Sequence, residues 1–527
     1  MEELSEFLSE QNEEIKKLTK SSSLAYWKAS ISGKKEDYDA YERSVIESQR
    51  YFNNKSSFEK VKHFLETVKG DIDKRQLETL YVNYLSCQGD LDLIEKITKK
   101  STQIEQEFST FRAKVDGKEL TDNEIKEILK KEKDLEKLEK VWNSSKKQGE
   151  IVEKELVELV ELRNTLAKSL GFKNYFEMSL ELSEQKEEEV ERIFLELEKS
   201  TGSSFRKVKE EMDEKLSKDF SINKNDLKPW HYHDLFFQEA PQIYEVDLDK
   251  FYDKDILSIA KKFYQEIGLK VEDILNRSDL YEKPGKNQHA YEINIDREGD
   301  VRILENLKNN ERWMDTTLHE LGHAVYEKNC DVNLPFLLRE NTHIFVTESI
   351  ALFFGRNSKN ISFMKKYCEI SEEESKTIGE VLKKQLKLDE LVFLKWAQVM
   401  FHFERELYKN PKQDLNRLWW SLVKKYQMID FYRDKPDWAS KIHFTIAPVY
   451  YHNYLLGKIL ASQLSNYLIK NVLKENAEDA DYADVRAGNY LRNEIFVHGK
   501  KYRWDELIEN ATKEQLTSKY FVEEFCN

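Results

Sequence analysis

Helix breakers are scarce in this sequence: 16 glycines and 7 prolines punctuate 527 residues. Their scarcity excludes a fold of many short strands and tight turns and favours long helices. Cysteine is scarce too. Cys87, Cys330, Cys368 and Cys526 lie far apart and form no Cys-x-x-Cys pair, which excludes a disulfide framework or a thiolate metal cage and reads them as reduced thiols. No uncharged apolar run approaches the roughly 18 residues needed to span a bilayer. The chain opens Met1-Glu2-Glu3, with Glu6 close behind, the opposite of a basic, apolar secretion leader. An excess of positive charge is also missing. Net charge is −15 with both signs interleaved, a surface that repels nucleic acid and anionic lipid. Together these absences predict a soluble cytoplasmic protein with no nucleic-acid or membrane partner and no obligate protein partner.

What is abundant is Glu, Lys and Leu at helical spacing, so the predicted fold class is mostly α. From Met1 to about Lys218 an apolar stripe recurs, first at Leu4, Phe7, Leu8, Ile15 and Leu18, later at Ile125, Ile128, Leu129, Leu135 and Leu138. Stretches such as Glu124 to Val141 and Val152 to Leu170 read as amphipathic helices whose charges form a solvated face. Ser21-Ser22-Ser23 and Gly117 mark turns, and Gly171 ends a helix. We read residues 1–527 as one unit, about 1–218 forming an N-terminal helical half and about 219–527 a second half that shares helices with it across a cleft. Gln288 to Leu304 is the one stretch that reads as β: Tyr291, Ile293 and Ile295 alternate with polar residues, Arg297-Glu298-Gly299-Asp300 turns the chain, and Val301 to Leu304 runs back. Such a hairpin offers an edge to an extended peptide.

The chemistry concentrates in Thr316 to Tyr326. His319 and His323 stand four residues apart, so on a helix they share a face and can grip one metal ion. Glu320, next to His319, can take a proton from water at that metal without being a ligand. This is the His-Glu-x-x-His pattern of zinc peptidases. Apolar Trp313, Met314, Leu318, Leu321, Ala324 and Val325 bury the helix. Gly322 costs roughly 1 kcal/mol in a helix interior, which implies a close approach there. Glu348, 25 residues after His323 in the helical run Ile344 to Phe354, completes a ligand set of two imidazoles and a carboxylate, and such a set leaves one position open for chemistry. Asp315, one turn before His319, either caps the helix or orients the imidazole, capping being preferred.

With His319-Glu320-Leu321-Gly322-His323, Leu334-Pro335-Phe336-Leu337-Leu338-Arg339-Glu340 and Phe345-Val346-Thr347-Glu348, the chain resembles the gluzincin zinc metallopeptidases of the angiotensin-converting-enzyme family. It equally resembles the thimet oligopeptidase and oligoendopeptidase F family. Leu159 to Asn164 and Gly171 to Tyr175 resemble a segment that precedes the catalytic half in these families. The resemblance implies an all-helical peptidase with two halves around a deep cleft, a small hairpin beside the metal helix, and one Zn2+ per chain, a site that cobalt or manganese can also fill. It also implies roles for residues outside the motif. Gln238, four residues after Asp234, would help to hold a substrate carboxylate; His289-Ala290 would line the hairpin edge, unless His289 is merely a hairpin residue. His443 with a tyrosine, Tyr454 first and Tyr451 next, would stabilise the oxyanion. Lys441 and Tyr450 would clamp the substrate's C-terminal carboxylate. The chain departs from the converting-enzyme pattern at Leu352, where that family has an aspartate, so the support of its metal ligands must be built otherwise.

The function expected is hydrolysis of short peptides, with dipeptides released from C-termini if Gln238, Lys441 and Tyr450 converge. The alternative is an oligoendopeptidase that cuts internal bonds. A third reading, of another class, is a helical peptide- or metal-binding protein in which Glu320 is idle.

Overall fold

The computed structural model describes residues 2–244, 246–475 and 480–526. Among them helices dominate, and the strands form two short antiparallel pairs. Among the described residues no helix is long and apolar enough to cross a membrane. The chain divides into two compact units, Met1–Gln88 with Val246–Gly379 and Leu456–Tyr520, and Gly89–Glu245 with Glu380–Leu455 and Phe521–Asn527.

The first unit begins with one helix, Glu2–Ser32. Its apolar stripe buries Phe7, Leu8 and Ile15 against Phe58, Val61 and Phe64 of helix Lys55–Thr67 and Leu77, Leu80 and Tyr84 of helix Asp71–Ser86. Each such fully buried side chain contributes about 1.5–3 kcal/mol. Gln11, buried in that face, accepts hydrogen bonds from the hydroxyls of Tyr51 (2.9 Å) and Tyr84 (2.8 Å). The turn expected at Ser21 to Ser23 does not form. Trp27 continues the buried stripe beyond the serines, and that packing outweighs their weak preference for turns.

The hairpin of this unit pairs Tyr291–Asn294 with Val301–Leu304 in the register Tyr291 opposite Leu304 and Asn294 opposite Val301. Its turn is held by side chains: Asn294 Oδ1 accepts from Arg297 N (2.8 Å), and Asp296 Oδ1 from Glu298 N (3.0 Å) and Asp300 N (3.2 Å). One face, with Tyr291 and Ile293, packs on Trp27 and Leu304. The other meets helix Glu311–Lys328, where Asn294 Nδ2 donates to Glu327 Oε2 at 3.1 Å.

Helix Glu311–Lys328 packs on helix Ile344–Gly355, and Gly322 is the reason they come so close. A Cβ on Gly322 would lie 2.9 Å from Ala351 Cα and 3.1 Å from Phe354 Cδ2. The close approach implied by a glycine in mid-helix is therefore helix against helix. Asn310 caps the first of these helices by accepting from Trp313 N (2.9 Å), which corrects the assignment of the cap to Asp315. Asp315 lies one turn inside the helix, with Oδ1 3.0 Å from where a Cβ on Gly355 would stand.

The second unit is built on helices Leu135–Ser169 and Glu187–Phe220 and on the later part of Glu372–Lys409. The stretch Glu124 to Val141, read as one helix, is broken after Lys131: helix Asp122–Lys131 ends there, and Leu135–Ser169 joins the rest to the stretch from Val152, with Leu138, Val141, Trp142, Val152, Leu156 and Leu159 buried along it. Gly171, at φ +93°, lies just past its end. A second hairpin, Ala113–Val115 with Lys118–Leu120, escaped the sequence reading, which found only one β stretch. Its Asp116-Gly117 turn, both residues at positive φ, is a standard hairpin signal, but the flanking strands of three residues are too short to show alternation.

Candidate active site

Two turns of one helix and one turn of another converge on a point. Ligand atoms of His319, His323 and Glu348 all lie within 4.8 Å of one another. Glu348 Oε2 is 3.6 Å from His323 Nε2 and 3.9 Å from His319 Nε2. A tetrahedral ion with bonds of about 2.0–2.1 Å sets its donors about 3.3 Å apart, and the two carboxylate–imidazole separations lie within a few tenths of an ångström of that value. Nδ1 of His323 faces the Thr347 hydroxyl at 2.7 Å, which turns Nε2 toward Glu348. Thr347 is thus part of the support that the missing aspartate at Leu352 left open. From the far side Gly457 lets helix His452–Tyr467 rest on the ligand: a Cβ there would meet Glu348 Cγ at 3.1 Å. The side chains of His319, His323 and Glu348 remain 22%, 14% and 15% exposed, so the point is open on one side.

Burial raises the Glu348 carboxyl, but the two histidines outweigh it and hold it down to about 2. Glu320 is driven the other way. Burial is the main cause, with Glu348 adding to it, while His319 and a hydrogen bond from the Glu292 backbone oppose; the result is about 7. Glu320 therefore stands beside the three ligands as a carboxyl able to carry a proton in either direction. The helix that presents it is tied down behind: Tyr264 Oη donates to Leu318 O (2.6 Å) and Thr317 Oγ1 to Glu305 Oε2 (3.2 Å). Of the hairpin pair, His289 is exposed and Ala290 half-buried, directly before strand Tyr291–Asn294.

The other expected residues belong to the second unit. There Lys441 Nζ donates to Gln238 Oε1 at 2.5 Å and lies over the rings of Phe236, Trp396 and Tyr451, 5.2–5.3 Å from their centroids. Burial, opposed mainly by Asp234, lowers Lys441 to about 8. Asp234 accepts from the backbone of Phe236 (2.7 Å) and Gln238 (3.2 Å), which holds Gln238 toward the lysine. His443 packs edge-on against Tyr451 at 5.0 Å, and burial, then the charge of Lys441, lowers it to about 3. It is a neutral imidazole with a buried Nδ1 that finds no partner among the described residues. Tyr454 lies 5.2 Å from Tyr450 and 5.3 Å from Tyr451, ring to ring. Tyr451 Oη accepts from Trp396 Nε1 at 2.7 Å.

A proline is well suited to the first turn of a helix, but Pro448 starts none here. His443–Ile446 is one short turn, Val449 sits at φ +54°, and the next helix opens at His452. Two buried residues hold this bent segment, Arg163 from the family-like stretch Leu159 to Asn164 and Glu404, neither of which was assigned this role. Arg163, buried, donates to Phe444 O (2.8 Å), Thr445 O (2.6 Å) and Tyr408 Oη (3.1 Å), and Glu404 Oε1 accepts from Val449 N at 2.8 Å. Burial raises Glu404 to about 8. No local signal marks either one, because their partners lie hundreds or tens of residues away. His402 has the structural role expected of it, stacked on Tyr426 at 5.2 Å and paired with Gln398 at 3.2 Å.

Comparison with known proteins follows from this geometry. A family model described as angiotensin-converting enzyme matches residues 1–231 and 238–526. Carboxypeptidase 1 of Bacillus subtilis (strain 168) is 25% identical over 265 residues, 45% of this chain and 52% of the relative. An oligoendopeptidase F homolog of Borreliella burgdorferi is 28% identical over 260 residues, 47% of this chain and 40% of the relative. Thermostable carboxypeptidase 1 of Pyrococcus furiosus is 23% identical over 249 residues, 42% of this chain and 49% of the relative. In each case the chain spans about half the length of the relative it matches.

Proposed function

The chain belongs to the angiotensin-converting-enzyme family of peptidases, and from that premise we propose that it is a zinc metallopeptidase acting on short peptides. The observation that carries the reading is the gathering of His319, His323 and Glu348 within 4.8 Å, with Glu320 beside them. Zinc held by those three side chains supplies a Lewis acid and acidifies a water molecule. Glu320 takes a proton from the water as its oxygen bonds to the peptide carbonyl carbon, then returns the proton to the amide nitrogen as the C–N bond breaks. The role we assign to His443, a neutral imidazole, with Tyr454 or Tyr451, is hydrogen-bond donation to the developing oxyanion; the family resemblance supports it, and such a donor is worth roughly 3–4 kcal/mol.

The finer assignment is release of residues from peptide C-termini. The Lys441–Gln238 pair supports it, since a buried lysine beside an amide, enclosed by aromatic rings, suits a single carboxylate. Cleavage of internal bonds is the second reading, favoured by the 28% identity to an oligoendopeptidase F homolog. The proposal includes a cytoplasmic setting, supported by four cysteines that are all unpaired.

Purified protein loaded with one zinc per chain is tested on peptides with free and amidated C-termini. A C-terminal exopeptidase loses the amidated substrates, whereas an endopeptidase cuts both. Glu320→Gln lowers turnover by about 10²–10⁴-fold with zinc retained. Parental turnover in that variant with zinc retained would show the role assigned to Glu320 to be wrong, and a zinc-loaded parent that hydrolyses no peptide would return the chain to the class of binding proteins.

A further inference from the structure

Strand Tyr291–Asn294 carries a carboxylate that the proposed reaction leaves without a task. Ile295 N donates to Asp300 O at 2.8 Å. By the alternation of an antiparallel pair, the N–H groups of Ile293 and Tyr291 then face the partner strand, and those of Glu292 and Asn294 face the free edge. The Glu292 backbone is one of the groups that lower the Glu320 carboxyl, which sets this strand near the general base.

Side chains alternate too. Tyr291 and Ile293 pack against Trp27 and Leu304, while Glu292 and Asn294 point to the opposite face, toward helix Glu311–Lys328. On that face Glu327 is satisfied, accepting from Asn294 Nδ2 (3.1 Å), Asn341 N (3.0 Å) and Asn341 Nδ2 (2.7 Å). Glu292 is not: its Oε1 is buried with no hydrogen-bond partner among the described residues. A buried, unpaired carboxylate costs stability, and a polar group left unsatisfied beside reacting groups calls for a ligand.

We propose that Glu292 is a specificity-determining residue that selects a cationic nitrogen of the peptide substrate, a Lys or Arg side chain or a free α-amine, at the subsite beside the scissile bond. The inference rests on the peptidase reading above. The surroundings fit it. Burial, then the charges of Glu327 and Glu320, push the Glu292 carboxyl well above its usual range, so the free site keeps a proton there and an arriving cationic nitrogen releases that proton to solvent and takes its place. An acidic side chain at the same substrate position meets repulsion instead.

Peptide pools that carry Arg, Gln or Glu at one position at a time are cleaved by the zinc-loaded enzyme and the products read by mass spectrometry. At one position Arg is preferred to Gln by about tenfold or more. Glu292→Gln brings that ratio to about one, and Glu292→Lys inverts it in favour of Glu. Zinc content and melting temperature identify variants that fail to fold. N-acetylated and Lys→Gln peptides separate the two sources of the cation: whichever change removes the preference identifies the source. The same peptides are titrated against zinc-loaded Glu320→Gln, with and without Glu292→Gln, by fluorescence anisotropy. A parent that hydrolyses nothing overturns the peptidase reading. Equal binding of Arg and Gln peptides, or a preference unmoved by Glu292→Gln, overturns the present one.

Discussion

Gly322→Ala separates the present account of the metal centre from one in which the helix merely tolerates a glycine. In an isolated helix the substitution stabilises by about 1 kcal/mol. Here the new Cβ would lie 2.9 Å from Ala351 Cα, a backbone atom that cannot swing away, and 3.1 Å from Phe354 Cδ2. Carbon atoms in contact settle at about 3.5–4.0 Å, so the two helices must part by about 0.6 Å or more along that line. Overpacking of this kind costs about 1–3 kcal/mol, which leaves a net loss of roughly 1 kcal/mol after the helix gain. The effect on metal is larger. The helices being parted carry His319 and His323 on one side and Glu348 on the other, and metal sites tolerate only about 0.2 Å in ligand distance. Zinc affinity should fall by about 10–100-fold, measured by competition with a chromophoric chelator alongside thermal unfolding. A variant that melts above the parent and binds zinc as tightly would refute the packing argument.

Thr347→Val removes the hydroxyl facing His323 Nδ1 and is expected to weaken zinc about 10–100-fold, with Thr347→Ser restoring most of it; equal affinities in all three would show that the threonine orients nothing. Lys441 titrates near 8 in the folded chain and near 10.5 in the unfolded one, so between those values the unfolded chain binds more protons and folding stability rises with pH. Lys441→Met should flatten that rise in denaturation curves recorded from pH 8 to 10.5. With the carboxylate pocket assigned as proposed, KM for peptides with free C-termini should climb above about pH 8 in the parent and be pH-independent in the variant. Arg163→Met strips donors from Phe444 O, Thr445 O and Tyr408 and should cost about 3 kcal/mol or more in urea unfolding, with hydrogen exchange speeding up across residues 443–451; unchanged exchange there would mean that the segment holds its bend without the arginine.

The metal ligands were legible because their geometry is mostly local. His319 and His323 share a helix face by spacing alone, and Gly322 announced a close neighbour without naming it. Glu348 could be named as the third ligand from its position in a second helical run, though only packing around Gly322 and Gly457 brings it within 4 Å of both imidazoles. The hairpin at Tyr291 was equally readable, since its alternation and its Gly299 turn are written in consecutive residues. The misreadings also had local causes. Serines at 21–23 and a proline at 448 look like punctuation, yet the buried stripe through Trp27 overrode the first, and Arg163 and Glu404 bent the chain past the second.

Composition, periodicity and spacing by themselves determined a helical protein with one metal-binding motif. Tertiary structure alone decided the rest: that Thr347 supports His323, that the strand carrying Glu292 lies near Glu320 with Glu292 Oε1 buried and unpaired among the described residues, and that Gln238 meets Lys441 across 203 residues of chain. The division has one physical source. Helical phase is set by neighbours three and four residues away, whereas the proton affinity of a buried carboxyl or amine is set by whatever distant segments exclude water from it.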